Sequence, residues 1–231
     1  MYWNLFMDYS GYRDWKSWDN LFCANSSEEA LFNNEFNSII ISEKDLLDIG
    51  FGSGALLDWA RRKGARVQGV EVQEELLLAA EDCGVTVWPS IRDIPSDSNF
   101  DVISLFDVLE HLSKDEIIEL LGQCRRRLNK NGCMVIRVPN CQSHLGLSLQ
   151  FADPTHISML SGPILMKILQ DCGFESVEYR AASYLVDNAS FLRKVQHLIQ
   201  RFLRFLYRSF FSITWGKSGL IISHNVVVLA K

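Results

Sequence analysis

The residues best suited to chemistry lie in one short stretch, Leu46 to Gly54, which reads LLDIGFGSG. Glycines alternate at Gly50, Gly52 and Gly54, in a turn between an apolar strand and a helix. A residue without a Cβ lets backbone pass close under a ligand, and a helix start offers unpaired N–H groups. Two acids accompany the turn. Asp48 precedes the first glycine by two residues, and Glu71 closes the next strand, where a carboxylate can hydrogen-bond the hydroxyls of a ribose. This pattern points to an adenosine-containing cofactor, with a ligand-free glycine turn as the plainer alternative. Gly50, Gly52 and Ala55 also meet the looser dinucleotide fingerprint with alanine in third place, so the glycines alone leave NAD in contention. The acid before Gly50 and the sequence FDVLEHL after the fourth strand argue against NAD.

The elements that must position these residues follow from the apolar pattern. Strands are expected at Asp45–Ile49, Val67–Glu71, Val85–Trp88, Phe100–Phe106 and Cys133–Val138, with helices at Ala55–Lys63, Glu74–Asp82 and Lys114–Leu128. The pair Asn131-Gly132 reads as a turn. Strands alternating with helices predict a parallel α/β sheet with helices on both faces. A loop over Asn140–Ser161, a helix over Gly162–Cys172 and strands at Glu175–Ala181 and Asn225–Ala230 follow. Residues 1–44 read as a helical cover over the domain formed by residues 45–231.

Four blocks together resemble the class I S-adenosylmethionine-dependent methyltransferases. LLDIGFGSG (46–54) is similar to their first motif, GVEV (69–72) to their acidic second-strand motif, FDVISLFDVLEHL (100–112) to their fourth-strand motif, and LNKNGCMVIRVPN (128–140) to the segment around their fifth strand. The resemblance implies a Rossmann-like, seven-stranded, mostly parallel sheet whose last strand enters antiparallel beside the fifth. It implies S-adenosylmethionine as cofactor. Asp48 would organise the loop near its amino-acid end, Gly50, Gly52 and Gly54 would pass beneath it, and Glu71 would hold the ribose. Ser90 and Ile91 would edge the adenine, where many relatives carry Asp, and Phe106 and Asp107 would face the methionine portion. For Asp107 a helix cap is the alternative. Phe151–Phe174 (FADPTHISMLSGPILMKILQDCGF) resembles a segment of methyltransferases that build bacterial surface polysaccharides, which implies a sugar hydroxyl of a glycan or glycolipid as acceptor. A quinone-precursor phenol, or a scaffold that binds the cofactor without turnover, fits the same features.

An acceptor hydroxyl is a poor nucleophile while protonated, so a base that titrates near neutrality is useful, and histidine is the default. His111 follows the fourth strand and His156 the fifth, both beyond the carboxyl ends of the strands, where ligands bind. His111 could instead fix a turn through backbone bonds. Asp153 would orient His156 or cap its loop, and His144 shares that loop. Six cysteines show neither a CxxC pair nor a zinc-like spacing with histidine, so free thiols in a reducing compartment and no metal are expected.

Charge completes the outline. The chain carries a net charge of −5, which argues against nucleic acid as partner because phosphate binding needs a cationic face. From Asn188 onward there is no Asp or Glu while seven Lys and Arg are present, so an acidic body carries a basic tail. Within a predicted helical insertion at about 188–217, residues 190–215 combine bulky apolar residues with five cations, which suits an anionic membrane surface. Packing of its apolar side on the body and a homodimer contact are the alternatives. The N-terminus lacks an apolar secretory core and no run is long enough to span a bilayer. A cytoplasmic protein, peripheral on the inner face of the membrane, is expected.

Overall fold

Strands that are apolar along their whole length need cover on both faces, which favours a parallel sheet sandwiched by helices. In the computed structural model, which describes residues 12–16, 18–183, 191–216 and 220–231, five such strands form: β1 (Asp45–Ile49), β2 (Arg66–Val70), β3 (Thr86–Trp88), β4 (Phe100–Phe106) and β5 (Leu128–Pro139). With β6 (Val177–Ala181) and β7 (Asn225–Ala230) they make one seven-stranded sheet ordered β3-β2-β1-β4-β5-β7-β6. The first five pair in parallel, and β7 runs antiparallel to both β5 and β6. The expected Rossmann-like sheet is therefore present.

Helices α1 (Tyr12–Trp15) and α2 (Ser26–Glu35) precede the sheet. Helices α3 (Ala55–Arg62), α4 (Glu74–Asp82) and α5 (Lys114–Arg127) make the crossovers. Because side chains alternate along a strand, Leu46 faces one apolar layer with Phe32, Leu57, Trp59 and Leu76, while Leu47 faces the other with Leu109, Ile117 and Leu121. Asn25 caps α2 and Ser113 caps α5, each in a box closed by a glutamate three residues on. Phe32 of α2 and Phe36 at its C-cap pack against Trp59 of α3, with ring centroids 5.6 and 5.1 Å apart. The buried Glu35 pairs with Arg180 of β6 at 2.6 Å, so α2 is tied to the sheet's far edge as well. Residues 1–11 of the expected N-terminal cover lie outside the described residues.

Two local readings change. Strand β5 begins at Leu128, so Asn131-Gly132 is strand rather than turn; a bulge absorbs the extra length, with Phe100 opposite Leu128 and Val102 opposite Cys133. The expected loop over Asn140–Ser161 contains helix α6 (His144–Gln150). Its Gly146 argues against helix by propensity, yet a Cβ there would stand 2.1 Å from the Asn140 carbonyl oxygen, so close packing selects glycine. Helix α7 (Gly162–Asp171) then leads to β6. Helix α8 (Phe191–Trp215) lies within the expected helical insertion, of which residues 188–190 and 217 lie outside the described residues. All six cysteines are free.

Candidate active site

The chain leaves β1 through three left-handed glycines, Gly50 at φ +69°, Gly52 at +50° and Gly54 at +73°, a conformation that costs other residues energy. Space is equally restrictive at Gly50, where a Cβ would come 2.6 Å from Cγ2 of Val108. The turn's N–H groups are largely committed. Gly50 and Phe51 donate to the Val70 carbonyl, Gly54 donates to the Phe51 carbonyl, and Gly52 donates to Oε2 of Glu71 at 3.1 Å. A dinucleotide's pyrophosphate needs such N–H groups free. The turn therefore suits a cofactor without phosphate.

Glu71 is buried, and its Oε1 accepts from the N–H groups of Val72 and Gln73 at 2.7 and 3.2 Å. A carboxylate offers about four acceptor positions, so three backbone bonds leave about one for a ribose hydroxyl. Burial raises the pKa of Glu71, and the three backbone N–H groups oppose that rise. At the end of β1, Asp48 is buried and accepts from the Ser104 hydroxyl at 2.7 Å. Burial pushes its pKa to about 7, against the Ser104 bond and with help from the Glu71 charge. Two buried carboxyls lining one space favour a ligand that carries hydroxyls and positive charge.

That space is a cavity of about 700 Å³ lined by Asp48, the turn from Gly50 to Ser53, Glu71, Phe106, Asp107, Glu110, His111, Asp153 and His156, among others. It falls within the usual range for small-molecule sites. Phe106 stacks on Phe36 with centroids 5.8 Å apart. Asp107 adopts φ +57° and pairs through both oxygens with Arg137 of β5. It does not cap α5, a role Ser113 fills. Ser90 and Ile91 are absent from the lining. Ile91 is buried in the core, and the Ser90 hydroxyl accepts from the Arg92 N–H.

The far end of the cavity holds the histidines. His111 and His156 meet edge to face at 4.7 Å between centroids. Nδ1 of His111 lies 2.9 Å from the Thr155 hydroxyl, and Nδ1 of His156 lies 3.2 Å from the Gln150 carbonyl. Burial, then the neighbouring His156, lowers the pKa of His111 to about 4, so it stays neutral. Asp153 faces His156 Nε2 at 3.7 Å and binds Lys16 at 3.0 Å; hydrogen bonds from Thr155 and Lys16 hold its pKa at about 2 against burial. His144 instead packs at a tilt against Tyr207 of α8, with ring centroids 4.6 Å apart, and is not among the cavity lining. Sequence reasoning missed Glu110 and Arg137. Glu110 is fully buried and Arg137 of β5 pairs with Asp107 just beyond β4; the one available signal was that Glu110 precedes His111 beyond β4.

A methyltransferase-domain family model matches residues 26–179, and the chain belongs to that family, whose cofactor is S-adenosylmethionine. Solved structures with the same fold include an S-adenosylmethionine-dependent methyltransferase from Archaeoglobus fulgidus, 22% identical, covering 87% of this chain and 92% of that one with a TM-score of 0.64. Another from Thermotoga maritima is 17% identical over 95% of both chains, with a TM-score of 0.63. Among curated proteins, a ubiquinone biosynthesis O-methyltransferase of Rhodopseudomonas palustris is 29% identical over 105 residues, 41% of this chain and 40% of that protein. The match thus spans less than half the length of that relative.

Proposed function

We propose that the chain transfers a methyl group from S-adenosylmethionine to a phenolic hydroxyl of an apolar acceptor at a membrane surface. The observation that carries this reading is the single cavity running from the glycine turn to the histidine pair. Trp15, Trp18, Leu31, Phe32, Phe106 and Leu149 give it flat apolar walls, which suit an aromatic ring better than a sugar. The relative named for ubiquinone biosynthesis supports the same choice. A sugar hydroxyl is the second reading, favoured by the segment Phe151–Phe174, whose Asp153 and His156 line the cavity.

The cofactor supplies an electrophilic methyl on a sulfonium. Glu71 and the turn hold the nucleoside, and Asp48 faces the positive end. His156 donates Nδ1–H to the Gln150 carbonyl, so in the neutral ring Nε2 keeps a lone pair. With the cofactor held there to supply the methyl group, that lone pair would take the proton of the acceptor hydroxyl. Radiolabelled S-adenosylmethionine, offered with a prenylated dihydroxybenzoate and separately with a lipid-linked sugar, tests the reading. Label in the phenol is expected; label in the sugar alone overturns it in favour of the second reading.

The membrane component is supported by α8, where Leu198, Phe202, Phe205, Phe210 and Ile213 are all more than half exposed. Tyr207 packs against His144 of the body, while these apolar residues, with Arg201 and Arg208, face outward. Among the described residues no helix is long and apolar enough to cross a membrane. The helix is suited to lie in the interface plane instead.

A further inference from the structure

We propose that Glu110, His111 and His156 bind one divalent transition-metal ion. One ligand atom from each lies within 4.8 Å of the other two. Metal–ligand bonds of 2.0–2.2 Å require ligand atoms about 3–3.5 Å apart, so closure needs a movement of about an ångström at the widest pair.

The hydrogens around the cluster leave it rich in lone pairs. The Thr155 hydroxyl has one proton and donates it to Asp153 Oδ1 at 2.5 Å. Toward His111 Nδ1, 2.9 Å away, it therefore accepts, which places hydrogen on Nδ1 and the lone pair on Nε2. The Gln150 carbonyl only accepts, so His156 likewise carries hydrogen on Nδ1 and a lone pair on Nε2. That nitrogen lies 3.9 Å from Glu110 Oε1, too far for a hydrogen bond. Both Glu110 oxygens are buried and lack a hydrogen-bond partner. Burial and the Asp107 charge raise the pKa of Glu110 well above its ordinary value, and a buried carboxyl without a partner is costly to ionise unless a cation such as a metal ion pairs with it. Partners on the outer nitrogens, as Thr155 and Gln150 provide here, are the usual support of metal-binding histidines.

Two imidazoles and one carboxylate suit zinc, iron or cobalt better than magnesium. Spacing along the sequence did not reveal the group, because Glu110 and His111 follow β4 while His156 comes from the segment after β5. All three line the cavity, so an ion there has coordination positions open to the acceptor. Its catalytic consequence rests on the methyltransferase reading: a coordinated hydroxyl sheds its proton to solvent more readily, and the ion takes over the activation otherwise left to His156.

Cobalt(II) titrated into untagged, chelator-treated protein tests the site through its visible absorption, with zinc(II) as competitor. One saturating equivalent, displaced by one equivalent of zinc, is expected. His156→Ala and Glu110→Gln should each weaken cobalt binding at least tenfold, and Thr155→Val by about 10- to 100-fold, all with S-adenosylmethionine binding kept. Absence of a saturable one-equivalent band, or an unchanged band in His156→Ala, overturns the proposal. Should Glu110→Gln not fold, the wild-type and His156→Ala titrations still decide. Protein that binds S-adenosylmethionine but not cobalt refutes the metal site and leaves the methyltransferase reading standing.

Discussion

Gly50→Ala isolates the two demands that the glycine turn makes on the chain. The residue sits at φ +69°, where a side chain costs about 1–2 kcal/mol. Its Cβ would also stand 2.6 Å from Cγ2 of Val108, about 1 Å inside ordinary carbon contact, and overpacking of that kind costs about 1–3 kcal/mol. The expected loss is about 2–5 kcal/mol, a large part of the roughly 5–15 kcal/mol typical of a domain. Val108→Ala removes the clashing methyls but not the strained dihedral. The double variant should therefore recover about 1–3 kcal/mol relative to the sum of the two singles. Urea unfolding of the four proteins reads this coupling, and calorimetry should show weaker S-adenosylmethionine binding by Gly50→Ala. A Gly50→Ala protein within about 0.5 kcal/mol of wild type, or additive singles, would refute the packing argument.

Other expectations follow from the same geometry. Asp48 holds its proton more tightly folded, at about 7, than at its ordinary value of 3.8, so stability of the free protein should fall as pH rises through that window; Asp48→Asn should flatten the slope in unfolding curves. A cationic cofactor favours the carboxylate, so S-adenosylmethionine affinity should rise with pH up to about 7 and then level, with proton release measurable by calorimetry in buffers of different ionisation enthalpy; a pH-independent affinity contradicts the placement of Asp48. His156→Ala should lower kcat by about 10²–10⁴-fold with cofactor affinity intact, and unchanged turnover would remove it from the chemistry. Phe202→Glu together with Phe205→Glu should abolish flotation with phosphatidylserine vesicles; equal flotation with the unsubstituted chain would point to another surface.

The alternation of strands and helices and the glycine turn were legible because each is written locally, in apolar runs, glycine spacing and an acid closing a strand, whereas the antiparallel last strand came from the family resemblance. What escaped depends on packing or on distance in sequence. Gly146 hid α6, since its need for a missing Cβ arises only when Asn140 folds against it. The pairing of Asp107 with Arg137 joins residues thirty positions apart, one just beyond β4 and one on β5. Glu110, read as part of a motif, carries its meaning in burial without a hydrogen-bond partner, which no local pattern encodes. The adenine-edge expectation for Ser90 and Ile91 came from the family resemblance; Ile91 is buried in the core, and neither residue is among the cavity lining.

The central claim is that Gly50–Gly54 and Glu71 grip the nucleoside of S-adenosylmethionine, and isothermal titration of the purified chain with S-adenosylmethionine and, separately, NAD tests it most directly. The account predicts one S-adenosylmethionine per chain, a loss of at least about tenfold in affinity on Glu71→Ala, equivalent to about 1.4 kcal/mol, and no heat with NAD. Saturable binding of NAD with none of S-adenosylmethionine would contradict it.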